Sequence, residues 1–166
     1  YMVQTMGMDQ AAANGMLNVA NIAVVVGGIA IGFVMNAVKS NTGRLAILVV
    51  SSAVLGICFA LAYTVSGAML TPWLIVFGLS NGIVPAIFFT MVAEIAPRPE
   101  LASVSSTLMS CGQCVGGILF AFVGAVVSAA GWGACTGLLA GVGIVLFLGS
   151  LALLLVIKAR DKKQQA

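Results

Sequence analysis

The sequence contains no histidine and few charged side chains. Only 7% of its 166 residues are charged, and four of these are acids, whereas a typical soluble domain carries about 25% charged residues. With no histidine and few acids, this chain alone cannot build acid–base dyads or the common histidine-containing zinc sites. We therefore expect no catalytic residue, no metal site and no cofactor, which argues against a membrane-embedded enzyme.

A basic surface for nucleic acid is also missing. The formal net charge is +3, but the lysines and arginines lie at the ends of apolar segments and form no stripe with interleaved aromatic residues. We expect no nucleic-acid partner, because membrane topology explains the positions of these charges better.

The amino-terminal segment lacks an initial methionine and the features of a signal peptide. The chain begins at Tyr1, and residues 1–10 contain neither a basic start nor a cleavage site. We expect the chain to be a fragment of a longer protein.

Two short motifs offer a chemical alternative to packing. Cys111 and Cys114 form a Cys-x-x-Cys pair, but in the middle of an apolar segment, where a thiolate is not stabilised. Met2, Met6 and Met8 resemble soft-metal ligands, yet methionines near an apolar boundary are more often packing residues. We favour packing for both motifs.

Long apolar segments dominate the rest of the sequence. Hydrophobic residues make up 61% of the chain, and a helix needs about 20 mainly apolar residues to cross a bilayer. The charged, proline and small polar breaks predict an all-α, polytopic membrane bundle of five transmembrane helices. We expect these helices at about 12–38, 45–64, 72–95, 100–130 and 134–157, between an outer segment at 1–11 and a basic cytoplasmic tail at 158–166.

The positive charges predict the orientation. Five alternating helices place all seven lysines and arginines on one side of the membrane, and the positive-inside rule makes that side cytoplasmic. The amino end is then outside and the carboxyl end inside. We expect an integral protein of a bacterial cytoplasmic (inner) membrane.

Polar residues are unevenly distributed among the predicted helices. The second and fifth helices are nearly uniformly apolar, whereas the first, third and fourth carry amides, hydroxyls and glycines that are costly against lipid. At 100° per residue, the asparagines and glycines of the first helix share one face. Our substrate-pathway candidates are Asn18, Asn21, Asn81, Ser110 and Gln113. For the small residues, close helix packing is an open alternative, and our packing candidates are Gly28, Gly32, Gly117 and Gly124.

Glu94 is the only acid embedded near the end of a predicted helix. Arg98 follows four residues later, so an ordinary surface ion pair or a helix stop is one interpretation. The more specific interpretation is a cytoplasmic latch, in which Glu94 bonds a cation or a helix end in one conformation only.

Three segments carry a family resemblance. Residues 32–36 (GFVMN), followed by Gly43 and Arg44, resemble the loop motif between helices eight and nine of major facilitator superfamily transporters, with Asn36 where the family often has Asp. Residues 94–97 (EIAP) resemble the motif that closes helix ten, although Leu101 and Ala102 replace its arginine and glycine. Residues 116–132 resemble the glycine-rich helix eleven and its outer turn.

The three segments occur in the family's order and on the family's sides of the membrane. Nearly the whole chain therefore resembles the carboxyl-terminal half of such a transporter, from the end of helix seven through helix twelve. The resemblance implies a secondary transporter that moves a small solute by alternating access, with the lipid bilayer, a missing amino-terminal half and possible coupling to an ion as partners. It also implies gate or loop residues, for which our candidates are Asn36, Arg44, Glu94, Pro97 and Arg98. The alternative is a small structural membrane protein whose helices serve only assembly.

Overall fold

The fold is a bundle of long helices. The computed structural model describes residues 1–96, 98–120 and 122–165, without the side chains of 93, 113, 115–120 and 161–165. Helices make up 86% of the chain and no strand occurs among the described residues, which confirms the all-α prediction. The helices are α1 (Gln10–Ala37), α2 (Asn41–Ala60), α3 (Leu70–Ile95), α4 (Pro99–Phe120) and α5 (Val123–Gln165), with a short 3-10 turn at Gly67–Met69.

Side-chain caps define the first two helix starts. Asp9 accepts a hydrogen bond from the backbone N–H of Ala12 at 2.8 Å and thereby caps α1. Ser40 does the same for α2, through a 3.0 Å bond from the N–H of Gly43. Because of this cap, α2 begins at Asn41, before the helix start predicted at about residue 45.

The carboxyl-terminal third departs from the predicted helix bounds. The helix predicted over 100–130 is interrupted, because α4 ends at Phe120, Phe122 lies in a turn and α5 begins at Val123. Gly131 has φ 76° and ψ 177°, so α5 is kinked at the predicted outer turn. Beyond that kink the helix runs on through positions predicted as a basic tail.

Backbone contact between glycines holds α1 against α3. A Cβ atom built on Gly82 would lie 2.9 Å from the carbonyl carbon of Val24 and 3.0 Å from the nitrogen of Gly28. One built on Gly27 would lie 3.0 Å from the Cα of Leu79. Lipid gives no hydrophobic force between spanning helices, so such close van der Waals contact is what stabilises them.

The second interface joins α2 to α5, with α2 also packed against α3. A Cβ on Gly143 would come within 2.7 Å of the Cα of Gly56. The fully buried hydroxyls of Ser52 and Ser150 hydrogen-bond across the same interface at 2.9 Å. Since no water is available to these hydroxyls, the bond satisfies both of them within the protein.

Membrane-spanning potential is clear for four helical segments in the described part of the chain. These are Gln10–Ala37, Asn41–Ala60, Gly67–Val92 and Val123–Arg160. The prediction of an all-helical membrane bundle is confirmed. α4 is not among the four, and residues 113 and 115–120 of that helix lie outside the described side chains; a fifth span there stays a prediction.

We expect Gly82→Leu to lower the free energy of unfolding by about 1 to 3 kcal/mol, because the new side chain would force α1 and α3 apart. Gly32→Leu is the matched control, since nothing lies within 4 Å of a Cβ at that position, and its effect should stay within about 0.5 kcal/mol. Unfolding of the purified protein in detergent, followed by circular dichroism, measures both. Equal losses in the two variants would contradict the close contact.

Candidate functional site

The asparagine stripe of α1 is the face of this helix that carries Asn18 and Asn21. It lies away from the face of α1 that packs against α3. The buried face of α1 contains Ala20, Gly27 and Ile31, and at 100° per residue the stripe is turned by roughly 110° from it. Asn18 and Asn21 are both exposed. Within the described part of the chain, neither amide has a hydrogen-bond partner, so both can take one from outside it.

Asn81 places two polar groups midway along α3. Its side chain is half-buried and makes no hydrogen bond to any described residue. Pro85 lies inside α3, one turn later, and has no N–H to donate to the Asn81 carbonyl. Asn81 therefore offers both its side-chain amide and an open backbone carbonyl. The sequence analysis predicted the amide but not the carbonyl.

Aromatic rings line α3 on the amino-terminal side of Asn81. Trp73 and Phe77 stack with centroids 5.4 Å apart, and Phe59 of α2 meets Phe77 edge-on at 5.9 Å. The indole Nε1 of Trp73 is buried and lacks an acceptor in the described structure. Trp73 is not among the site residues predicted from the sequence. Its position two turns before Asn81 was the available signal.

The hydroxyls of α4 bond within their own helix. Ser110 donates to the carbonyl of Ser106 at 3.1 Å, and Thr107 donates to that of Ser103 at 3.0 Å. Ser110 is exposed, so its hydroxyl oxygen can still accept a bond. The side chain of Gln113 lies outside the described residues.

An ion pair joins the ends of three helices. Arg44 Nη1 donates to Glu94 Oε2, which links the start of α2 to the end of α3. Arg44 Nε also donates to the Val38 carbonyl at 2.6 Å, at the end of α1. The Arg44 side chain is only 14% exposed. This cation therefore fixes three backbone ends relative to one another.

The remaining gate candidates are not part of this pair. Glu94 bonds Arg44 rather than Arg98, its neighbour in sequence, so the nearby-pair interpretation of Glu94 and Arg98 is wrong. Arg98 is exposed in the bend between α3 and α4, and Asn36 is exposed with no hydrogen bond to a described residue. Pro97 lies outside the described residues.

Of the predicted packing glycines, Gly28 lies beside a point of closest approach between α1 and α3. A Cβ on Gly28 would make an ordinary 3.8 Å contact with Gly82, whereas Gly32 and Gly124 face open space in the described structure. The surroundings of Gly117 are outside the description, and a packing role for Gly32, Gly117 and Gly124 stays a prediction. Sequence analysis missed Gly78 and Gly82, although their four-residue spacing is a known helix-packing signal.

The opposite end of the bundle from Arg44 and Glu94 is aromatic. Tyr63, just beyond α2, lies 4.7 Å from Trp132 and 5.4 Å from Tyr1, measured between ring centroids. Aromatic rings of this kind favour the membrane–water interface. Close to them, Met2, Met6 and Met8 pack against a cluster that includes Leu70 and Leu74.

Comparison with known proteins gives a family but no individual relative. The sequence model of the Major Facilitator Superfamily matches residues 1–166. Neither the curated proteins nor the solved structures contain a match to this chain. Because the family match extends over the entire sequence, and the apolar helical bundle is the fold that this family requires, the chain belongs to the Major Facilitator Superfamily of membrane transporters and is an integral membrane protein.

Proposed function

We propose that this chain supplies most of one half of a secondary transporter, which moves a small solute by alternating access together with an amino-terminal half. The exposed asparagine stripe of α1 is the observation that carries this proposal. Amide side chains within the hydrocarbon region of a membrane need contact with protein or water rather than lipid. A solute pathway between two halves would provide both.

Asn21 and Asn81 are the main solute contacts in this proposal. Asn21 is exposed on the stripe, and Asn81 combines an amide that has no partner among the described residues with the carbonyl that Pro85 leaves open. The amide side chains can both donate and accept hydrogen bonds, and the backbone carbonyl accepts them, which favours a small polar or amphiphilic solute. A coupling ion that needs a carboxylate would bind mainly in the other half.

The Arg44–Glu94 pair is the cytoplasmic latch of the proposal. It connects the ends of α1, α2 and α3, and opening that side would require these ends to separate. The cations in the loops and tail support assigning this end to the cytoplasmic side of a bacterial inner membrane.

We expect Asn21→Leu and Asn81→Leu each to lower the initial rate of solute transport about tenfold, as befits the loss of one hydrogen bond of roughly 1 to 1.5 kcal/mol. The assay is uptake into cells that express the complete transporter, with a panel of radiolabelled sugars, amino acids and amphiphilic dyes.

Asn14→Leu is the matched control for both variants. The Asn14 amide already accepts a 3.4 Å bond from Gln10 in the first turns of α1, so its loss should leave transport nearly unchanged. Wild-type rates in the Asn21 and Asn81 variants would remove these residues from the pathway. A panel in which the wild-type protein moves nothing would favour a purely structural membrane protein.

We expect Glu94→Gln to raise maleimide labelling of the exposed cysteines Cys111 and Cys114 by roughly two- to fivefold from the cytoplasmic side. The pair is partly exposed, so its loss should change the closed population by at most about 1 kcal/mol. Glu100→Gln is the control, since Glu100 is exposed and forms no ion pair with a described residue. Identical labelling in the two variants would rule out the latch.

A further inference from the structure

Residues 1–8 form a strap across the aromatic end of the bundle. The backbone N–H of Thr5 donates to the Tyr1 carbonyl at 2.7 Å, and the N–H of Met8 donates to the Met2 carbonyl at 3.1 Å. These bonds fold the strap back on itself. The residue whose side chain caps α1 follows directly, so the strap is also fixed to the start of that helix.

The ring of Tyr1 attaches the strap to α2 and α5. Its centroid lies 5.4 Å from that of Tyr63, just beyond α2, and 5.5 Å from that of Trp132 in α5, with both pairs edge-on. Edge-on aromatic pairs stabilise a contact beyond the area that they bury. Tyr63 has φ 62°, a left-handed conformation that is unfavourable for a residue with a Cβ atom. The ring contacts therefore have to offset a local backbone cost.

Methionine side chains attach the strap to α1 and α3. Ala20 of α1 forms a buried apolar cluster with Leu70 and Leu74 of α3. Half of the chain's eight methionines pack against this cluster together with Trp73, namely Met2, Met6, Met8 and Met16. Thioether side chains are flexible and adapt to irregular apolar surfaces, which suits a strap that crosses two helices.

The strap thereby joins two helix pairs. In the described part of the chain, α1 packs mainly against α3 and α5 mainly against α2, and the pairs meet where α2 contacts α3. Away from the strap, one core cluster includes residues of all four helices, from Ile31 of α1 to Ile157 of α5. Among the described residues, the buried cluster under the strap includes α1 and α3 alone. At this end, the strap therefore adds a link that the core does not supply.

The methionines of the strap are in contact with solvent. Met2, Met6 and Met8 are each half-buried, whereas Met35 and Met91 in the core are 4% and 1% exposed. An oxidant dissolved in water reaches the strap methionines more easily than those of the core.

Oxidation changes the chemistry of a thioether at such a position. The sulfur lone pair attacks one oxygen of hydrogen peroxide, and the S–O bond forms as the O–O bond breaks. The proton of the transferred oxygen moves to the departing hydroxide, which leaves as water. The product is a methionine sulfoxide, which is polar and disrupts methionine-rich apolar contacts. Against Leu70 and Leu74, its oxygen would lose the hydrogen bonds that water provides.

We propose that residues 1–8 are a redox-sensitive strap. With reduced methionines, the strap holds the α1–α3 pair to the α2–α5 pair at the aromatic end of the bundle. Oxidation of Met2, Met6 and Met8 to sulfoxides by a peroxide releases it from both pairs. In the proposed orientation, this end faces the outside of the membrane, where an oxidant from the surroundings arrives first.

The chain's two tryptophans report the release, because Trp73 packs beside the strap methionines and Trp132 contacts Tyr1. The protein is purified in detergent with its four cysteines changed to alanine, treated with hydrogen peroxide and freed of peroxide. We expect the iodide-quenching constant of tryptophan fluorescence to rise about twofold as the strap leaves both rings. Mass spectrometry verifies the sulfoxides. Unchanged quenching in a protein that carries them would overturn the proposal.

Single-tryptophan variants test whether the strap leaves both helix pairs. In Trp73→Phe, the remaining Trp132 contacts the strap through the Tyr1 ring. Its quenching should still rise after methionine oxidation, as should that of Trp73 in Trp132→Phe. A rise at Trp73 alone would overturn the strap, because oxidation would then loosen only the α1–α3 side.

Substitution of all three strap methionines by leucine is the matched control. Leucine keeps the apolar packing but cannot be oxidised, so peroxide should leave the quenching constant of this variant unchanged. Met69→Leu removes a thioether that is 66% exposed and outside the cluster, and this variant should respond as the wild type does. A response that persists without the strap methionines, or that disappears with Met69, would overturn the assignment.

A polar substitution tests the release without an oxidant. Met6→Gln places an amide where the sulfoxide would form, and should raise the quenching constant by itself. Val3→Gln is the control on the same strap, since Val3 is 41% exposed, and should leave quenching unchanged. Equal quenching constants in the two variants would contradict the proposal.

Discussion

A hydrocarbon solvent offers no partner to a polar group, and this constraint governs the whole structure. Every backbone N–H and C=O within the bilayer must be bonded inside the protein, which leaves helices as the available element for a chain of this composition. It also removes the hydrophobic force between helices, so contact and hydrogen bonding must replace it. In this structure, glycine contacts hold α1 against α3, and the hydrogen bond between Ser52 and Ser150 joins α2 to α5.

The same constraint separates structural from functional polar residues. Ser52 and Ser150 are fully buried and satisfy each other, so they serve the fold. Asn21 and Asn81 have no partner among the described residues, so each is available to bond a group beyond them. Arg44 belongs to neither group, because it lies where the helices leave the membrane and joins three of their ends.

Much of the fold could be predicted from the sequence, because hydropathy and breaks act locally. The start of α2 shifted because a single side chain, that of Ser40, caps it, whereas Gly131 kinks α5 at the predicted outer turn without ending the helix. The pairing of Arg44 with Glu94 spans 50 residues, and a sequence pattern reports only neighbours such as Arg98. Likewise, the stripe predicts which glycines are on one face of α1, but the contact of Gly27 with Leu79 depends on how α3 packs against α1, which the sequence of α1 does not contain.

The central claim is that the asparagine stripe of α1 faces water or protein while the adjacent apolar face meets lipid. The most direct measurement is labelling of single cysteines along α1 with a water-soluble thiol reagent, in the complete transporter in membranes and in a background without the four native cysteines. We expect cysteines at Asn21, Gly28 and Gly32 to react, and cysteines at the exposed apolar positions Ile22, Val26 and Phe33 to remain unlabelled. Equal protection of both faces, or labelling of the apolar face alone, would contradict the account.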